Sequence, residues 1–267
     1  KSLGSRYAVL GLPIIRGVVN FGESLYIGLK TLSYSSSFYE EEDYEPGKVE
    51  QFFTKIFGDK LESVLMGITM VISVILALGI FMVLPFFLTN LMKGFLPSYS
   101  IRTLIEGIIR VALFLIYIWL ISKMEDIKRV FMYHGAEHKT INCLEHGEDL
   151  TPENIKKYSR LHKRCGTSFL LIVMIVSIVV FMFIRVDSLV WKFVLRILLV
   201  QVVAGISYEF IRLAGRSDSK IVNTLSKPGL YLQYFTTREP DEEMMEVAIK
   251  AVEGVFDWRE YLRAMHN

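Results

Sequence analysis

From Ser63 to Met92 the chain carries no charged side chain, the nearest being Glu62 and Lys93. A helix rises about 1.5 Å per residue, and roughly 20 apolar residues cross the hydrocarbon core of a bilayer, so this stretch is longer than one span requires. A buried core helix of that length would not fit a domain of ordinary size. The stretch is therefore read as a first transmembrane helix, tilted or kinked near Pro85. A second charge-free block, Gly166 to Ile184, lies between Arg164 and Arg185. Two further segments are less pure: Gly107 to Ser122, apolar except for Arg110, and Phe193 to Leu213, which holds Arg196, Glu209 and Arg212 near its ends. Charges near the ends of a span can snorkel to the headgroups.

These blocks predict an all-α, polytopic membrane protein with about four transmembrane helices. Its 267 residues are 52% hydrophobic, with a mean hydropathy of +0.39, unusual for a soluble protein. Lys and Arg (30) nearly balance Asp and Glu (28), so no global positive field exists to hold a nucleic acid. Two cysteines, Cys143 and Cys165, cannot build a disulfide framework. With four spans, most Lys and Arg fall on the side holding both termini and the loop from Lys123 to Arg164. That side is expected to be cytoplasmic. The expected organisation is an amphipathic N-terminal region (1–36), an acidic linker and pre-membrane segment (37–62), two spans (63–122), a cytoplasmic His-rich loop (123–165), two spans (166–213) and a cytoplasmic helical tail (214–267). Because the chain starts at Lys1 rather than Met, a preceding segment is expected to be missing.

Outside the spans, Leu12 to Leu32 reads as an amphipathic helix, with Leu12, Ile15, Val18, Val19, Leu25, Leu29 and Leu32 roughly on one side. It would lie on the membrane surface or pack against the bundle. Near the C-terminus, Pro240 precedes an acidic first turn. The helix that follows is expected to run through Met244, Val247, Ala248, Ala251 and Val255.

Four of the five histidines fall between positions 134 and 162. His134, Glu137 and His138 spell H-x-x-E-H. On a helix the two histidines share a face one turn apart and can reach one metal ion, with Glu137 beside them as the base for a metal-activated water. This is the inverted zincin spacing. Glu145 returns to the same face seven residues on, and His162 with Cys165 forms an H-x-x-C pair at the head of the third span. The metal candidates are therefore His134, His138, His162, Cys165 and Glu145, the catalytic candidate is Glu137, and the metal is Zn²⁺. Gly135 and Gly147 weigh against one continuous helix. A second cluster of charges is membrane-embedded: Arg102, Glu106 and Arg110 at i, i+4, i+8, then Glu209 and Arg212. Such groups pair with one another or line a wet path.

Three stretches carry a family resemblance: IIRGVVNFGESLYIGLKTLSYS (14–35), YHGAEHKTINCLEHGEDLTPENIKKYSRLHKRCGTSFL (133–170) and GLYLQYFTTREPDEEMMEVAIKAVEGV (229–255). The chain resembles the YqhQ family of bacterial membrane proteins, described as metal-dependent enzymes on the strength of such motifs. The resemblance implies an integral protein of the bacterial cytoplasmic (inner) membrane. It singles out His134, Glu137, His138, His162, Arg164 and Cys165. Family members usually begin with a further Gly-rich segment not present here. Three functions are weighed. The first is a metal-dependent hydrolase acting on a lipid or membrane protein at the cytoplasmic interface. The second is a non-enzymatic assembly or insertion factor that binds a partner membrane protein or a further copy of itself. The third is a small-molecule or ion carrier using Arg110 and Glu209.

Overall fold

The computed structural model describes residues 8–36, 38, 61–96, 98–186, 189–217 and 219–266. Among them every regular element is a helix. The expected acidic linker lies almost entirely outside the described residues. The chain divides into two compact units, Lys1–Arg110 and Val111–Asn267.

In the first unit a 3-10 turn, Ala8–Gly11, leads through Pro13 and Ile14 into helix α1, Ile15–Ser36. Ile14 makes this corner with φ at 69°, a conformation that β-branched residues rarely adopt. Leu25, Leu29 and Leu32, the expected apolar stripe of α1, are exposed. Helix α2 (Leu61–Leu78) then passes through a π-helical turn (Gly79–Val83) into α3 (Leu84–Leu91).

That wide turn sits where Pro85 disturbs the ladder. In an α-helix the N–H of residue 85 would bond the carbonyl of Phe81, and proline has none to give. The turn widens, with the Leu84 N–H reaching the Gly79 carbonyl. Arg110, on α4 (Tyr99–Ile121), donates through Nε to the Phe81 carbonyl at 2.9 Å and through Nη2 to Glu106 at 3.0 Å. A charged residue thus supplies the donor that proline lacks, and the buried Glu106 supplies its countercharge. Polar backbone in an apolar surrounding tolerates no orphan, and this contact satisfies one.

Among the described residues three helices are long and apolar enough to cross a membrane: Val64–Leu91, Tyr99–Ile121 and Val190–Ala214. The expected third span is instead a 17-residue apolar helix, α7 (Gly166–Met182). In the second unit α7 packs against α8 (Leu189–Ala214) and α9 (Lys220–Thr236). Leu171 of α7 and Leu232 of α9 meet Ile118 of α4 in a small apolar core. Arg196 of α8, read above as a snorkelling charge, is 5% exposed and lies 5.4 Å from the centre of the Phe181 ring. A stacked guanidinium is weakly hydrated, which makes that burial tolerable.

A separate core joins α5 (Glu125–Glu145) and α6 (Pro152–Lys156) to α10 (Glu242–Glu253) and α11 (Trp258–His266). Its buried members include Ala136, Cys143, Ile155, Met244, Met245 and Trp258. Asp241 caps α10 by accepting the Met244 N–H at 2.8 Å. The core-facing side of α10 runs through Met244, Met245, Ala248, Ile249 and Val252, whereas Val247 and Val255 are exposed. The helix also stops at Glu253, two residues short of Val255.

Replacing Arg110 alone by Leu removes its hydrogen bonds to the Phe81 carbonyl and to the buried Glu106 and should cost about 3–5 kcal/mol. A Glu106→Gln, Arg110→Met pair should recover most of that loss. Thermal unfolding of the purified protein in detergent measures both.

Candidate metal centre

Helix α5 runs unbroken through Gly135 and ends where Gly147 turns left-handed at φ 77°. His134 and His138 therefore share a face, with ring centres 4.4 Å apart. Gly135 lies between them for a steric reason. The extended segment after α9 crosses α5 at this point, and a Cβ at position 135 would run into the Arg238 carbonyl. The crossing strap is tied down on both sides. The Arg238 N–H donates to the Phe131 carbonyl at 2.8 Å, and Arg160 donates to the Thr237 carbonyl at 2.6 Å. Lys139, nearly fully buried on α5, reaches Glu239 of the strap at 2.9 Å and the Lys156 carbonyl at 3.1 Å.

The strap and the loop before α7 set the two imidazoles. His134 Nδ1 lies 2.8 Å from the Thr236 carbonyl, and His138 Nδ1 lies 2.6 Å from the Arg160 carbonyl. A carbonyl only accepts, so each Nδ1 carries the proton and donates. Both Nε2 atoms are left for the cavity. This is the outer hydrogen bonding that metal-ligating histidines ordinarily have.

The third member is Cys165, which occupies the N-cap of α7. Its Sγ is 3.3 Å from His134 Nε2 and 3.1 Å from Thr167 Oγ1. One ligand atom each from His134, His138 and Cys165 lie within 4.8 Å of one another, so the three form a cluster able to hold a metal ion. Two imidazole nitrogens and a thiolate suit zinc, and three protein ligands leave a fourth position open.

His162 and Glu145 take a different place. His162 Nε2 is 3.3 Å from Glu145, which is also ion-paired to Arg164. The His162 ring centre lies 5.7 Å from that of His138. Glu145 does return to the expected side of α5, but there it meets His162 and Arg164. Glu137 is exposed on the wall of a cavity of about 570 Å³ that is also lined by His134, His138, His162, Arg164 and Cys165. Of the membrane-embedded candidates, Glu106 and Arg110 pair as described, while Arg102, Glu209 and Arg212 are half-buried.

Gln233 has no local sequence signal. Fully buried on α9, it accepts the His162 N–H at 2.8 Å and donates to the His162 carbonyl at 2.8 Å and to Ser168 Oγ at 2.7 Å. It thereby clamps the loop that presents Cys165. Gly229, one turn earlier, lets α9 approach α7, since a Cβ there would sit 2.8 Å from that of Ser168.

Electrostatics follow from this geometry. Burial opposes ionisation of Cys165, yet hydrogen bonds from His134, His138 and Thr167 outweigh it and bring the thiol down to about 5. Burial likewise works against a charged His134, but the bond to Cys165 and the Thr236 carbonyl raise its pKa above the ordinary histidine value. Without metal the two share a proton along the Cys165–His134 contact, and that proton is the one a metal ion displaces. Burial and the neighbouring His138 lower the pKa of His162. Cys143, in the other core, is pushed up to about 11, first by burial and then by Glu148.

Alkylation of the metal-free protein tests this arrangement. An unperturbed thiol gains about a hundredfold in rate from about pH 6 to about pH 8. Cys165, ionised above about 5, should stay nearly flat over that range and Cys143 nearly inert. Gly135→Ala, which displaces the strap and frees His134, should restore a steep rise at Cys165. Mass mapping of the alkylated cysteines against pH reads both.

Residues 12–258 match the family described as "Protein of unknown function (DUF1385)". Over 241 residues the chain is 37% identical to "Uncharacterized protein YqhQ" of Bacillus subtilis (strain 168), covering 90% of this chain and 76% of that protein. No solved structure matches significantly. Because the family match spans α1 through the start of α11 and includes every residue of the cluster, the chain belongs to the DUF1385 family and is a YqhQ-like protein.

Proposed function

We propose that this protein is a zinc-dependent hydrolase of the bacterial cytoplasmic membrane, working at the cytoplasmic face. One observation carries the reading. His134, His138 and Cys165 converge while the Nδ1 atom of each histidine is held by a backbone carbonyl. A merely structural histidine pair has no need for both Nε2 atoms to be aimed at a thiolate.

Zinc, when bound by His134, His138 and Cys165, would supply a Lewis acid that acidifies water. The chain's own groups do the rest. Thr236 and Arg160 hold the imidazoles in the tautomer that presents Nε2. Glu137 lies on the cavity wall, where its carboxylate takes a proton from water. Glu145 orients His162 on the same wall, and Gln233 fixes the backbone of that loop.

In this reading the membrane is crossed four times, α7 being the fourth span beside the three longer helices. Seventeen residues are at the short end of what spans a bilayer. Both termini and the segment from α5 to the start of α7 then face the cytoplasm, the side richer in Lys and Arg. Cys165, capping α7, sits at the boundary between water and lipid.

Purified protein should bind one zinc per chain. Each of His134→Ala, His138→Ala and Cys165→Ser should lose it, as read by elemental analysis. Glu137→Gln should keep the zinc and lose about 10²–10⁴-fold in turnover or in cellular complementation. Metal-free protein with full cellular function would end the reading.

A further inference from the structure

The cavity beside the cluster is built from two kinds of surface. One wall is polar, with Glu137, His162 and Arg164. The other is apolar, with Ile141 of α5 and Leu170 in the second turn of α7. Leu170 is 45% exposed. It therefore lies on the side of the cavity formed by the apolar helix α7, away from the core that joins α5, α6 and α10. The cationic groups gather on the other side. Arg164 is half-exposed and immediately precedes Cys165, and Lys163 adjoins it. The Arg164 stem lies against Gly215, where a Cβ would approach its Cδ to 2.5 Å, so the side chain is held in place along its length. Its Nη2 pairs with Glu145. A guanidinium carries five N–H donors, and one amino group on Glu145 leaves others for a second anion. Tyr231, Tyr234 and Phe235, exposed on the last turns of α9, carry aromatic surface next to the strap, as chains do at a membrane interface.

We propose that this cavity receives the headgroup of an anionic phospholipid, its phosphate on Arg164 and its acyl chains leaving past Leu170 along α7. The assignment rests on the placement of Cys165 at the membrane boundary and names the substrate class of the proposed hydrolase. A polar mouth with a fixed guanidinium matches a phosphate, and the apolar exit matches hydrocarbon. A membrane peptide would fill the apolar side but has no general need for the arginine.

The test uses the full chain, metal-free, in a neutral detergent, and follows alkylation of Cys165 at constant pH. Dioctanoylphosphatidylglycerol at about ten times its Kd should slow the reaction about tenfold, while dioctanoylphosphatidylcholine should not. Arg164→Gln should abolish that protection. Leu170→Trp, which narrows the exit without touching the Glu145 pair, should weaken it and serves if the arginine variant does not fold. Equal protection by both lipids, protection by neither, or protection that survives both variants would overturn the proposal. Zinc titration of the same preparation separates the two readings. Zinc binding without lipid protection removes the lipid alone, and lipid protection without zinc binding removes the metal alone.

Discussion

Each imidazole of the centre has one nitrogen committed to a backbone carbonyl, and the rest of the second unit is arranged around that constraint. For His134 the carbonyl belongs to Thr236, the last residue of α9; for His138 it belongs to Arg160, in the loop before α7. Those two segments must therefore be fixed relative to α5. Glu239 joins them, taking Lys139 from α5 and Arg160 from the loop, at 2.9 and 3.7 Å. The buried Lys139 is tolerable only because a carboxylate and a carbonyl meet it there. Gly135 is the steric counterpart of the same requirement: the strap carrying Thr236 must pass over α5 with no side chain beneath it.

The same rule, that buried polar groups find partners, shapes the apolar part of the chain by a different route. Pro85 withdraws a donor from the first candidate span, the ladder widens into a π turn, and Arg110 reaches across from α4 to the Phe81 carbonyl. Glu106 then balances the arginine one helical turn away. The i, i+4 spacing of these charges is thus explained by backbone satisfaction, with no transport role required. Arg196 reaches a comparable end with an aromatic ring.

The parts of this organisation legible in the sequence were those encoded locally. The charge-free runs located the apolar helices. The i, i+4 spacing of His134 and His138 placed both on one face, and Cys165 stood out at the head of an apolar run. The expected ligand set nevertheless left His162, Glu145 and Cys165 equivalent, because spacing along α5 says nothing about where the loop from 159 to 165 lands. Tertiary contacts separate them: Gln233 grips His162 by its backbone and leaves its ring to Glu145, which leaves Cys165 to face His134. Gln233, Thr236 and Arg238 act from about 70 to more than 100 positions away from the residues they hold, beyond any periodicity. The helix-breaking weight given to Gly135 was misplaced for a related reason. A glycine inside a helix costs about 1 kcal/mol, and the close approach of the strap offsets it.

Why the centre sits at the cap of α7 follows from the chemistry of its third member. A thiolate buried in an apolar surrounding is costly, and burial alone would raise the Cys165 pKa. At the head of α7 it meets His134, His138 and Thr167, whose hydrogen bonds outweigh the burial, while its Sγ takes no bond from the helix's own first-turn N–H groups. An apolar helix of this kind offers that position at one place, where its first turn leaves the polar segment. The histidines must come to the same level, so the middle of α5 has to lie against the head of α7. The loop between them accordingly runs back along α5, from Ile155 in the core to Arg160 at His138. A cavity formed under those constraints has one wall from the polar helix and one from the apolar helix, and its amphipathic character is a consequence of where a thiolate can be kept charged.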